Sequence, residues 1–158
     1  PGVVLDVRHK EPGSEITVAD VEDALVGIGH TLKEGHIVLL QTGTDRYWNT
    51  PDYLSHQPGL GRPATEWILA QGVRTIGIDA WGLDRPAAKM AEAYREGDRD
   101  ALWPSHFYGR EKEYLQIEKM ANLDQLPSPL GFTVCAFPVK FEGASAGWTR
   151  AVAIVDAP

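Results

Sequence analysis

The sequence has a single cysteine, no cluster of lysine and arginine, and no apolar run approaching the length of a bilayer span. Cys135 alone cannot make an internal disulfide, which favours a reducing cytoplasm. Without a basic patch, a nucleic acid or an anionic membrane surface has nothing to recognise. The balance is acidic, 22 Asp and Glu against 15 Lys and Arg for a net charge of −7, and the acids are scattered rather than blocked. No charged-then-apolar leader opens the chain. Nor does an initiator methionine: the sequence begins PGVVLDV and enters strand-like residues at once. The expectation is a piece that enters a longer protein partway, by trimming or proteolysis.

What is present is ordinary globular material, 43% hydrophobic and 23% charged over 158 residues. That length is one domain, 1–158, able to bury roughly 70% of its unfolded surface. Val3 to Val7 reads as a strand, followed by the turn residues Glu11 to Ser14. Thr17 is placed to cap a helix, with Asp20 completing a capping box. Val18, Val21, Leu25 and Ile28 recur at helical spacing, and Gly35 supplies a stop. Ile37 to Gln41 reads as a buried strand, and a polar, aromatic loop runs from Thr42 to about Gly61. Ala64 to Gln71 forms a helix ended by Gly72, then Arg74 to Asp79 a strand. Asp84, with Pro86 behind it, fits a helix N-cap with proline in the first turn. Glu92 to Asp100 is charged and solvated, and Asn122 to Leu126 makes one helical turn. Gly131 to Pro138 and Arg150 to Asp156 are closing strands. Helices and strands interleave before strands close the chain, so the class is α/β or α+β with a mixed sheet.

Several candidate sites compete. Gly143-Ala-Ser-Ala-Gly147 matches the G-x-S-x-G nucleophile elbow, which needs a strand-to-helix turn and a later histidine. A strand follows Ser145 instead, and no histidine does, so this is a loop of small residues. Thr42-Gly-Thr-Asp45 resembles part of a His-x-Gly-Thr-His-x-Asp metal motif, but Gln41 and Asp45 replace its imidazoles. Asp45 is then a loop acid capping Thr or Tyr neighbours. His9, His30, His36 and His56 read as surface histidines, and Cys135 as an inert buried thiol within an apolar strand. Tyr47, Trp48 and Trp81 are candidates to line an aromatic substrate pocket.

His106 and Glu118 bracket the run SHFYGREKEYLQIE. On one straight helix, twelve residues turn through about 1200° and leave the pair about 120° apart. They converge only if the helix ends between them and Glu118 starts a new direction. Two metal ligands and two ends of an amphipathic segment both remain open on spacing alone.

Seven ordered segments together resemble the cyclase family of metal-dependent hydrolases, which includes kynurenine formamidase and isatin hydrolase. They are GVVLDV, ITVADVE, HIVLLQTGTDRYW, PGLGRPATEWILAQGV, GIDAWGLD, IEKMANLDQL and FPVKFEGASAGWTRAVAI. The resemblance covers nearly the whole chain and implies a swivelling β/β/α-type α/β domain around a mixed sheet. It implies that His106 and Glu118 are metal ligands, suited to Zn²⁺ or Mn²⁺, and that the protein is a homodimer or homotetramer. The family's first metal motif, His-x-Gly-Thr-His-x-Asp-x-Pro, belongs upstream of GVVLDV and is not in this sequence. The other ligands and the general-base histidine are expected there.

The expected function is metal-dependent hydrolysis of a small cyclic or N-acyl amide, such as isatin or N-formylkynurenine, by activated water. A lactone or polyketide-type cyclase on the same scaffold is the nearest enzymatic rival. A non-catalytic scaffold member, lacking the first motif, is the rival of a different kind. The isolated chain is expected to have little or no hydrolase activity.

Overall fold

Four short apolar-rich runs become one parallel sheet in the computed structural model, which describes residues 1–155. In chain order the elements are β1 (Gly2–Asp6), β2 (Glu15–Ile16), α1 (Val18–Gly27), β3 (Ile37–Gln41), β4 (Gly59–Leu60), α2 (Arg62–Ala70) and β5 (Thr75–Ile78). Then follow α3 (Ala87–Arg95), α4 (Pro104–Tyr108), β6 (Leu115–Ile117), β7 (Phe132–Cys135) and β8 (Val152–Val155). The main sheet has the order β1-β3-β5-β6, with every pair parallel. Parallel neighbours need long crossovers, and the helical segments between successive strands supply them. A two-residue parallel pair, β2 with β4, and an antiparallel ribbon, β7 with β8, complete a mixed α/β domain of the swivelling β/β/α kind.

β1, β3 and β5 alternate sides and are buried on both, as strands of a covered parallel sheet are, while β6 is a partly exposed edge. Val3, Leu5 and Leu40 face Val21 and Leu25 of α1 and Ile68 of α2. Val4 and Leu39 face the opposite way, against Leu123 and Phe132. Each such side chain contributes about 1.5–3 kcal/mol when fully buried.

The capping box at α1 is present: the Asp20 N–H donates to Thr17 Oγ1, and the Thr17 N–H to Asp20 Oδ2 at 2.7 Å. Burial works to raise the Asp20 pKa, but the Lys10 ammonium and the Thr17 donors outweigh it and hold the carboxyl well below its usual range. The helix ends sooner than Gly35. Gly29, at φ +61°, closes a Schellman motif in which His30 N–H reaches Leu25 O and Gly29 N–H reaches Val26 O. α2 begins two residues before Ala64, because Pro63 fits the first turn.

Two expectations need correction. Asp84 does not cap α3, whose N-terminal flank is Pro86 with no side-chain cap; its carboxylate is used elsewhere. Cys135 is not buried but partly exposed, because among the described residues no layer covers the outer face of the two-stranded ribbon that carries it. The closing strands are also shorter than expected, and Asp156 lies outside the described residues. The loop after Thr42 is ordered by two 3-10 turns, Thr44–Tyr47 and Pro51–Leu54. Among the described residues, no helix is long and apolar enough to cross a membrane.

Gly59 packs against chain rather than side chains: a Cβ there would fall on the backbone of Asp84 and Arg85. Gly59→Ala should therefore cost about 1–3 kcal/mol in a urea melt. Gly27→Ala meets open space at the end of α1 and should be neutral or stabilising by up to about 1 kcal/mol. Equal stability of Gly59→Ala and the parent would contradict this packing.

Candidate functional site

Because the four strands of the main sheet run the same way, their C-terminal ends share one edge, where open parallel sheets bind ligands. Asp79 follows β5 at that edge and is 1% exposed. Its carboxylate accepts the Thr42 N–H, the Thr42 hydroxyl and the Gly43 N–H, tying β5 to the loop after β3. Burial pushes its pKa up, and those three donors oppose the rise.

Glu118 emerges one residue past β6 on the same edge. Its Oε1 accepts the Leu83 N–H at 3.2 Å and lies 3.4 Å from His106 Nε2. The pair converges because α4 stops after Tyr108 and the chain turns through 109–114 before β6 begins. Lys119, at φ +60°, then turns the chain away, its N–H donating to Ala80 O. Burial works against ionising Glu118, but His106, Lys119 and the Leu83 N–H outweigh it and hold the carboxyl below its ordinary value.

The other side of His106 is held by Asp84. Nδ1 lies 2.5 Å from Asp84 Oδ2, and the Ser105 N–H donates to Asp84 Oδ1 at 2.8 Å. Asp84 is 3% exposed, so this carboxylate is committed to α4 and its histidine. Ser105 fixes the helix itself: its hydroxyl donates to Leu60 O and its carbonyl accepts the Tyr114 hydroxyl. With Asp84 on one nitrogen and Glu118 beside the other, the imidazole pKa rises to about 9 against the opposing effect of burial.

The residues fit a small cation. The 3.4 Å between Nε2 and Oε1 is about the edge of a tetrahedron with ligand bonds of ~2.0–2.1 Å. A carboxylate on the far imidazole nitrogen is the usual support of a metal-binding histidine. Among the described residues, no group of three or more His, Cys, Asp or Glu side chains could hold a metal. The described residues thus bring one imidazole and one carboxylate to ligand-like spacing, each held by neighbouring groups.

Trp81 stands beside this pair, with the Lys119 ammonium 4.4 Å from its ring centroid and 3.3 Å from Glu118 Oε2. Tyr53 is buried edge-on to both Trp48 and Trp81. Burial pushes its hydroxyl up to about 12, with Asp79, Asp45 and Glu118 adding to the shift. Trp48 and Trp81 are 64% and 50% exposed, while Tyr47 turns to pack against His56. Asp45 does cap a loop, but the donor is the distant Asn122 N–H rather than a Thr or Tyr neighbour. His30 and His36 pack ring to ring at 5.1 Å, both part-buried. Ser145 sits in an exposed loop with no helix after it.

Sequence reasoning missed Asp84, Ser105 and Tyr114 as parts of the site. An acid and a proline in a local cap pattern concealed a contact made 21 and 22 residues later.

Residues 1–85, more than half the chain, match the family model described as "Putative cyclase", and the chain belongs to that cyclase family. The solved structures it resembles include an isatin hydrolase bound to the product analogue thioisatinate, at 23% identity and a TM-score of 0.83, over 99% of this chain and 60% of that one. Isatin hydrolase A from Ralstonia solanacearum is 24% identical with a TM-score of 0.79, over 99% and 60%. A structure described as a "predicted metal-dependent hydrolase" from Bacillus stearothermophilus is 22% identical with a TM-score of 0.65, over 94% and 60%. The chain thus spans about 60% of the length of these structures. No curated protein matches it.

In chelator-treated protein, the His106 imidazole should titrate near pH 9 by NMR. The folded pKa is above the ordinary value of about 6.5. The stabilisation it brings is therefore complete below about pH 6.5 and lost as pH rises through about 9. Asp84→Asn should bring the midpoint down. A midpoint at or below 6.5 in the parent would contradict the arrangement.

Proposed function

We propose that the protein is a metal-dependent hydrolase of a small cyclic or N-acyl amide, of the isatin or N-formylkynurenine type. His106 and Glu118 would hold the cation, zinc or manganese. The observation that carries this reading is the 3.4 Å approach of His106 Nε2 to Glu118 Oε1 with buried Asp84 behind the ring. Membership of the cyclase family and the isatin-hydrolase-like fold support the reaction class.

The contacts support a role for each residue. Asp84 accepts from Nδ1, and the Nε2–H faces Glu118; a cation would take the place of that Nε2 proton between the two side chains. The Leu83 N–H fixes one oxygen of Glu118, and Lys119 balances the charge of the other. The lowered pKa of Glu118 keeps its carboxylate charged beside the imidazole. A bound divalent cation supplies Lewis acidity and lowers the pKa of water, so that an amide carbonyl can be attacked near neutral pH. Tyr47, Trp48 and Trp81 would line the aromatic side of the substrate site, the exposed faces of the two tryptophans being open to a planar ring. Two protein ligands are one fewer than catalytic zinc takes, so the remaining ligand and the general base would come from outside these residues. The reaction would run in the cytoplasm, in a homodimer or homotetramer.

The full-length protein should carry zinc or manganese by elemental analysis, and His106→Ala should lose it. Turnover of isatin or N-formylkynurenine should fall with it by more than about 100-fold, beyond the usual cost of losing only a supporting residue. Unchanged metal content in His106→Ala would refute the assignment. The 158-residue chain alone should show little hydrolysis, and normal turnover from a preparation containing only that chain would overturn the need for outside residues.

A further inference from the structure

A buried tyrosine hydroxyl ordinarily finds a hydrogen-bond partner, and that of Tyr53 has none among the described residues. The side-chain polar atoms enclosed there without a partner are His30 Nε2, Gln57 Oε1 and Thr149 Oγ1. The Tyr53 oxygen is not one of them, so it keeps contact with solvent although the residue as a whole is only 5% exposed. Local sequence puts it there. Asn49, at φ +66°, turns the chain between the two 3-10 turns, a conformation asparagine accepts more readily than most side chains. Pro51 opens the second turn, and the Tyr53 N–H donates to Thr50 O at 3.2 Å. Trp48 and Tyr53 meet across the bend, with 5.1 Å between ring centroids at 78°. Trp81, from the loop after β5, closes on the ring at 6.5 Å and 90°. The ring is fixed and its oxygen is left over.

That oxygen lies within electrostatic reach of Asp79, Asp45 and Glu118, and each of them makes it harder to ionise. Among the described residues these carboxylates are held by other donors: Asp79 by Thr42 and Gly43, Asp45 by Asn122, and Glu118 by Leu83. At neutral pH the hydroxyl is therefore an uncharged, unspent donor. Trp81 also connects it to the His106–Glu118 pair. The Lys119 ammonium is 4.4 Å from the Trp81 ring centroid and 3.3 Å from Glu118 Oε2.

We infer that the Tyr53 hydroxyl donates to a second oxygen of the substrate, the one that is not attacked, and so selects N-aryl amides with a ketone beside the amide nitrogen. The inference rests on the hydrolase reading of the His106–Glu118 pair. On that reading the scissile carbonyl belongs with the cation, and a planar ring laid along Trp48 and Trp81 brings its ring-borne substituents to Tyr53. A ketone conjugated with the ring shares its plane, so one hydrogen bond to it fixes the ring and with it the direction of the amide. An analogue without that oxygen leaves the donor unpaired, which is how a polar site rejects it.

The test compares N-formylkynurenine with formanilide, an N-aryl formamide without the ketone, in the full-length parent and in Tyr53→Phe. The parent should favour the ketone substrate. Tyr53→Phe should narrow the ratio of kcat/KM by about 3–10-fold, the worth of one neutral hydrogen bond, with the loss falling on KM. Its urea midpoint without substrate should not fall, because phenylalanine removes only a hydroxyl that the fold leaves unpaired. Equal losses on both substrates with a lowered midpoint would show that another part of the polypeptide takes the hydroxyl. An unchanged ratio with an unchanged midpoint would show that only water does. Either result overturns the role of Tyr53 and leaves the hydrolase reading standing. A parent inactive on both amides overturns this role outright, and one that also spares isatin overturns the hydrolase reading with it.

Discussion

The site depends on one buried carboxylate. Asp84, 3% exposed, accepts the Ser105 N–H and holds His106 Nδ1, and so fixes both the start of α4 and the ring it carries. A five-residue helix has no stability of its own. This one persists because its first turn is pinned from several sides. Ser105 reaches Leu60 and Thr65, and Tyr114 returns to the Ser105 carbonyl. Leaving such a carboxylate buried without its donors would cost several kcal/mol, so the cluster forms together or not at all.

The parallel sheet supplies the other half. Its strands end along one edge, and the residue after β6 is the glutamate that meets the histidine. Gly77 allows β5 to sit close to this arrangement: a Cβ there would press on Met120 Sδ and Leu39 Cδ2. Gln57, 2% exposed, ties the segment before α2 to the carbonyls of Gly82 and Asp84. The loop bearing Trp81, Leu83 and Asp84 is therefore braced by the Gln57 amide and the Glu118 carboxylate. Rigid framing of this kind is what lets two side chains keep ligand-like spacing.

Local chemistry was legible in the sequence where local chemistry decides structure. The Thr17–Asp20 box predicted α1, and Ile37 to Gln41 predicted a buried strand, because caps and apolar runs act within a few residues. Where distant partners decide, the sequence misled or was silent. Asp84 with Pro86 has the spacing of a helix cap, but Ser105 and His106 compete successfully for its carboxylate. β6 has three residues between Tyr114 and Glu118, too few to announce a strand, and it forms because β5 offers it an edge. A helical wheel drives His106 and Glu118 apart, and only the turn after α4 brings them together. Their pairing was accessible through the family resemblance and not through periodicity.

The functional reading thus turns on whether Asp84 orients His106 for a cation or merely caps a short helix. Titration of Zn²⁺ into full-length Asp84→Asn separates the two, since asparagine keeps an acceptor for Ser105 but loses the charge behind the imidazole. If Asp84 serves the ligand, affinity should fall by about 10–100-fold with the fold retained. Affinity equal to that of the parent would mean that His106 needs no orienting carboxylate, and that the Asp84–His106–Glu118 arrangement is structural.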